Sequence, residues 1–373
     1  AIPPVASRAL LHRAASLTTA MAKSILGFGN PLLDISATVE QAVLDEWGAQ
    51  LNNAILAEEK HLPLYKKLTE THTVDYIAGG ATLNSIRVAQ WMLSGAGEKD
   101  KSAFIGCIGV DEFGATLKKQ LAEDGVKGVF MEQKETPTGT CAVLVKDAER
   151  SLIANLAAAE KYDASHFSSD AAKEAVEASQ IFYMAGFPLT HPGGQATVTS
   201  ICEHAAKEGK TVCMNVSAPF IAEVPPLREM LLAAFEWCDF IFCNESEAAA
   251  LSKGLGWELG EDSAEIAKKI AALPSKRATP RTAIVTQGSE ATVVASAAGE
   301  CTSYPVKGNP WELTKEMLVD TNGAGDAFVG GFLSQLAMAK DMATCVKAGH
   351  YAAGTIIQRA GCTTGTTPPD FKP

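Results

Sequence analysis

From residue 24 onward, short apolar runs alternate with longer amphipathic stretches, and this alternation constrains the fold more than any single motif. The runs at 24–28, 103–108, 180–184, 211–215, 239–243 and 282–286 are largely apolar, without the polar alternation of a half-exposed strand. Helical periodicity fills 82–93, 114–123, 195–207, 264–272, 325–338 and 342–358. A strand that is apolar on both faces must be covered on both, and parallel strands need crossover helices. The pattern therefore predicts an α/β fold with a mainly parallel sheet flanked by helices. Such sheets bind ligands beyond the carboxyl ends of their strands, and several of these runs end in Gly, Asn or Ser.

Two regions break the rhythm. Segments 33–39 and 73–78 read as strands with no obvious crossover helix between them, and 139–145 with 152–156 reads as a hairpin turned by KDAERS. We expect a small β-rich lid of residues 31–79 and 136–160, inserted into a large α/β domain of 23–30, 80–135 and 161–373. The remaining piece, 1–22, reads as an extension, disordered or targeting. Its first twenty residues carry Arg8, His12 and Arg13 but no acid, a composition like that of an organellar transit peptide.

A net charge of −11 argues against a nucleic-acid partner, which needs a basic surface. No apolar run approaches a membrane span, so no membrane partner is expected either. The nine cysteines form no CxxC pair, and several, such as Cys107, Cys213 and Cys243, sit in apolar runs. That usage indicates buried, reduced thiols and a cytoplasmic protein, with organellar import through 1–20 as the other destination. A monomer is expected.

Asp320–Gly331, DTNGAGDAFVGG, is the most informative segment. Gly323, Ala324 and Gly325 precede an apolar helical pattern, so backbone N–H groups at a helix start can form an anion site. Asp326 in the first turn can take a proton from a hydroxyl or orient it. Equally, the glycines can serve a tight turn and Asp326 the helix dipole. Asn244 and Glu247, directly after an apolar run, can hold water around Mg²⁺ or simply cap the next helix. Gly79 and Gly80, before a helix carrying Asn84, allow close backbone approach to a ligand or close packing alone. Arg150, at the tip of the expected hairpin, is a phosphate ligand or a solvated turn residue. GxxxxGK[ST] is absent, and Gly27-Phe28-Gly29 lacks the third glycine of a dinucleotide fingerprint.

Together these segments resemble the ribokinase-type carbohydrate kinase family, from about residue 24 to the C-terminus. DTNGAGD marks the wider family. GNPLLDISA (29–37), AGGATLNS (78–85), PTGTCA (137–142), RSLIANLAAA (150–159) and NESEAA (244–249) are most similar to members whose acceptor is adenosine. The resemblance implies ATP-dependent phosphorylation of the adenosine 5′-hydroxyl, a purine-salvage reaction, with Mg²⁺ as cofactor and ATP as co-substrate. By the same resemblance, Asp326 is the base, Gly323–Gly325 the anion hole, and Arg150 a ligand of the transferring phosphate. Asn30, Asp34, Gly79, Gly80 and Asn84 would hold ribose. Leu56, Cys141, Leu152, Ala154, Leu156 and Phe187 would surround adenine. Asn244, Gln287, Gly288 and His350 would lie at ATP, with Asn244 and Glu247 organising Mg²⁺ through water. Two positions depart from the pattern: Ala81 stands where many relatives carry Ser or Thr, and Pro188 replaces an aromatic. Rival readings are a sugar kinase of the same family and a non-catalytic nucleoside-binding regulator.

Overall fold

The computed structural model describes residues 21–51, 53–147, 149–307, 313–365 and 367–372. Residues 1–20 of the extension lie outside the described residues.

Nine strands form the larger sheet. They are β1 (Ile25–Phe28), β5 (Ser102–Gly109), β6 (Val126–Gln133), β9 (Ile181–Ala185), β10 (Thr211–Asn215), β11 (Phe240–Asn244), β12 (Thr282–Gln287), β13 (Glu290–Ser296) and β14 (Cys301–Tyr304). Their order is β14-β13-β12-β11-β10-β9-β1-β5-β6, parallel throughout except for β13 and β14. The first of the described strands thus lies inside the sheet, with Leu26 opposite both Ala103 and Phe182. Side chains alternate between two cores, as the pleat requires. Phe28, Phe182, Met184, Val212 and Met214 face one core; Ile25, Tyr183, Cys213, Phe242 and Ile284 face the other. Both faces are covered by helices, as the expected fold class requires.

The six apolar runs emerge as strands within one residue of their expected bounds, whereas β6, β13 and β14 were not expected. β6 is an edge strand with Lys127 and Gly128 exposed, so its apolar signal is diluted. β13 and β14 are antiparallel additions, β13 joined to β12 by the short turn Gly288-Ser289 and β14 to β13 by residues 297–300.

The smaller sheet contains β2 (Leu32–Thr38), β3 (Asn53–Leu56), β4 (Asp75–Gly79), β7 (Thr140–Lys146) and β8 (Glu149–Asn155), in the order β3-β8-β7-β2-β4. The parallel pair β2–β7 lies at its centre, Asp34 opposite Cys141. Two findings differ from expectation. Helices Gln41–Trp47 and Leu62–Thr71 lie between β2 and β4, and Leu44, Leu64 and Leu68 pack on Ala37, Ala142, Leu144 and Ile153. Helices of 7 and 10 residues carry too few periodic positions to stand out in a sequence. Arg150 is also not at the hairpin tip: it pairs with Val145 inside β8 and is 3% exposed.

Helices Ala81–Gly95 and Ala324–Ala337 pack closely, because Gly330 puts no side chain between them. A Cβ there would meet the Ser85 carbonyl at 2.6 Å and the Val88 side chain at 2.7 Å. This contact aligns the two helix starts beneath the smaller sheet.

Candidate active site

A cavity of about 380 Å³ lies between the sheets, the size range of small-molecule sites. Its floor is formed by the carboxyl ends of parallel strands, with Ala185 from β9, Asn215 from β10, Asn244 from β11 and Thr286 from β12. Its roof is the inner face of the smaller sheet. Alternation on β7 and β8 sends Ala142, Leu144 and Ile153 to the outer core and leaves Cys141, Leu152 and Ala154 inward. Leu32, Leu56 and Leu156 complete this apolar roof, and Phe187 and Pro188 close one side.

Polar groups converge opposite the roof. Asn84, one turn inside its helix, donates from Nδ2 to Asp326 Oδ2 at 2.9 Å. Asp326 lies in the first turn of its own helix, where Gly323 takes the left-handed conformation (φ 72°) and no side chain caps the N–H groups. The Ala324 amide donates to the Thr321 carbonyl at 3.2 Å, and the other amides of this turn can meet a ligand. Asp34 is buried on β2 directly over Gly79, where a Cβ would sit 2.2 Å from its Oδ1. Gly79 therefore seats Asp34 from behind and does not line the cavity. Gly80 does line it, with φ 102° and its Cα face against the Asn30 carbonyl.

The three acids of the cavity hold their protons unusually well. Burial pushes Asp34 up to about 7, and the negative charge of Asp326 adds to this while Arg87 and Arg150 oppose it. Asp326 is raised to about 6 by loss of solvent, partly offset by the Asn84 hydrogen bond. Glu247 rises to about 7, again through burial, against the hydrogen bonds it accepts from the Asn244 and Ser217 backbone. Clustered acids displaced in this way in a cleft mark a candidate catalytic site. Arg150 reaches the same region from the roof and forms an ion pair with Asp320, ahead of the glycine run. Asp320 is held by the Asn322 amide at 2.7 Å and the Gly361 amide at 2.6 Å.

Asn244 and Glu247 bear out the helix-cap reading given to them. They form a capping box, Glu247 N–H donating to Asn244 Oδ1 at 2.8 Å and Asn244 N–H to Glu247 Oε2 at 3.0 Å. They also line the cavity.

The structure thus brings together Asn30, Asp34, Leu56, Gly80, Asn84, Cys141, Arg150, Leu152, Ala154, Leu156, Phe187, Asn244, Glu247, Gly323, Ala324, Gly325 and Asp326. It does not bring Gln287, Gly288 or His350 into the cavity. Gln287 donates to the Ala291 carbonyl at 2.5 Å, Gly288 is exposed in the β12–β13 turn, and buried His350 contacts Thr292 Oγ1 at 2.9 Å. Burial draws the His350 imidazole down to about 4. Sequence reasoning missed Thr82, Asn215 and Thr286, which line the cavity, and His191, which touches Asn30. The strand ends were a usable signal for Asn215 and Thr286; nothing local marked His191.

Comparison with known proteins agrees with this fold. The model of the pfkB family of carbohydrate kinases matches residues 44–369. Adenosine kinase 1 of Arabidopsis thaliana is 47% identical over 340 residues, covering 91% of this chain and 95% of that protein. The crystal structure of Anopheles gambiae adenosine kinase in complex with P1,P4-di(adenosine-5) tetraphosphate superposes with a TM-score of 0.87 at 43% identity, covering 93% of this chain and 98% of that one. Adenosine kinase from Schistosoma mansoni, in complex with adenosine in an occluded loop conformation, gives 0.85 at 30% identity, covering 93% and 98%.

Proposed function

Because this chain belongs to the pfkB family of carbohydrate kinases, we propose that it transfers the γ-phosphoryl group of ATP to the 5′-hydroxyl of adenosine, giving AMP and ADP. The observation that carries this reading is the placement of Asp326. It sits at a helix start without a side-chain cap, hydrogen-bonded by Asn84, in a cavity of about 380 Å³ under an apolar roof.

Asp326 takes the proton of the 5′-hydroxyl as the new P–O bond forms and the bond to ADP breaks. A carboxylate raised to about 6 suits that task, since it is ionised at neutral pH yet more basic than an ordinary acid. The first-turn amides from Gly323 to Gly325 receive the charge of the transferring group, and Arg150 supplies a second donor set from the roof. Asp34, Asn84 and Gly80 surround the ribose hydroxyls. The aliphatic roof and Phe187 take the base.

Mg²⁺ fits a narrower role. Among the described residues no cluster of three or more His, Cys, Asp or Glu could cage an ion. Glu247 and Asn244 offer oxygen at the cavity wall, which matches an ion held mainly by water and substrate phosphates. When bound, Mg²⁺ neutralises phosphate charge.

The smaller sheet, residues 31–79 and 136–160, acts as a lid whose closure excludes water from the reacting groups. All nine cysteines are free and eight are buried, which supports residence in the cytoplasm. Among the described residues no helix is long and apolar enough to cross a membrane.

The test is nucleoside-dependent ADP release with adenosine, inosine, guanosine, ribose and fructose as acceptors. Adenosine is expected to give the highest kcat/KM. Preference for a free sugar would favour the sugar-kinase reading, and no turnover with any acceptor would favour a non-catalytic binder.

A further inference from the structure

Asn30 links β1 to β2 and lines the cavity, and its side chain has one partner: Oδ1 lies 3.1 Å from His191 Nε2. Its Nδ2 is buried without a hydrogen-bond partner among the described residues. His191 is itself buried and caps the helix Pro192–Lys207, where its Nδ1 accepts from the Gly194 amide at 3.1 Å. A ring nitrogen that accepts carries no proton, so the neutral imidazole must bear its proton on Nε2. Nε2 then donates, and only the carbonyl oxygen of Asn30 can receive. The amide of Asn30 cannot turn over without setting its NH₂ against the Nε2–H. Gly194 makes the arrangement possible, because a Cβ there would lie 2.0 Å from the Pro188 carbonyl and 2.7 Å from the His191 ring.

We propose that His191 is a positioning residue that fixes Asn30 as a hydrogen-bond donor toward the nucleoside, so that the site selects ligands presenting an acceptor at that point. The inference rests on the nucleoside-kinase reading of the cavity. It follows from a chain of three groups in which each donor–acceptor assignment forces the next, ending in an unpaired buried N–H. A ligand atom unable to accept would leave that N–H buried and unsatisfied.

The experiment measures adenosine KM, kcat, ATP KM and melting temperature for wild type, His191→Leu, His191→Gln, Asn30→Ala and the double variant Asn30→Ala/His191→Leu. His191→Leu is expected to raise adenosine KM about tenfold, with kcat and ATP KM changed less than about twofold. Gln can donate from a comparable position and is expected to restore most of the loss. In the Asn30→Ala background, where no amide remains to be oriented, His191→Leu should add no further rise. An unchanged KM in His191→Leu overturns the proposal while leaving the functional reading intact. A rise of equal size in both backgrounds also overturns it, showing a role in general packing. A wild type inactive on adenosine overturns both.

Discussion

Two glycine-bearing turns open helices onto the same cavity, and they use glycine for different reasons. At Gly79-Gly80 the space that a side chain would occupy is already filled by protein. A Cβ at Gly79 meets the Asp34 carboxylate at 2.2 Å, and one at Gly80 meets the Asn30 carbonyl at 2.3 Å in a backbone with φ 102°. At Gly325 a Cβ would meet nothing within 4 Å, and the residue's φ is not positive. Neither sterics nor conformation within the protein demands glycine there. The first turn is shaped for its own neighbours; in the second, Gly323 is too, with φ 72° and a Cβ position 2.9 Å from Cys362 Cβ, but Gly325 leaves room that the protein does not fill. Gly325 lines the same cavity as Asp326.

That contrast can be broken by experiment. The largest effect is expected at Asp326. Asp326→Asn keeps the shape of the open turn and removes its base, so kcat should fall by ~10²–10⁴ while adenosine binding changes little. Wild-type kcat should also rise with pH through about 6 as this carboxyl loses its proton, and the residual rate of the variant should lose that step. Turnover close to wild type would remove Asp326 from the chemistry.

Next comes Gly325→Ala. Because the methyl group enters open space, the melting temperature should hold while turnover falls by ~10², the scale of a reacting group displaced by about an ångström. Full activity would mean that the room has no ligand. Gly80→Ala should behave oppositely, with the loss appearing first as stability. Strain at positive φ and contact with the Asn30 carbonyl together cost on the order of 1–3 kcal/mol, measurable by denaturant unfolding.

The smallest effect concerns Asp34, which packs on the filled turn. Its folded pKa of about 7 lies above the ordinary 3.8, so the folded protein binds the extra proton. Stability from this group is fully present below about 3.8 and is lost as pH rises through about 7. Asp34→Asn has no such loss. The ligand-free variant should therefore gain stability relative to wild type between pH 5 and pH 6, by about 1 kcal/mol. A gap independent of pH would show that Asp34 is not held protonated by its surroundings.

How much of this was legible in the sequence follows from the range of the forces involved. The six buried strands of the main sheet were readable because each satisfies both of its faces with its own residues. Asp326, Asn84 and Gly80 were readable because helix starts carry local signatures. The helices of the smaller sheet were not, since their stability comes from Leu44, Leu64 and Leu68 packing against strands up to about a hundred residues distant. Arg150 was misplaced for a related reason. Its strand begins at Glu149 because β7 holds it there by pairing, and a polar KDAERS segment gives no hint of that. His191 was invisible because its importance lies in Asn30, 161 positions away.

The order of the strands also has a consequence for how the chain is made. β1 leaves the ribosome first among the described strands, yet its partners β5 and β9 begin only at Ser102 and Ile181. β2 can pair early with β4, but its parallel neighbour β7 starts at Thr140. At ~5–20 residues per second, β1 lacks at least one of its two partners for roughly eight to thirty seconds of synthesis. Leu26 and Phe28 face one core and Ile25 the other, so an apolar strand waits with both faces uncovered. During that interval the nascent chain depends on dilution and chaperones to keep β1 from pairing with a neighbouring copy.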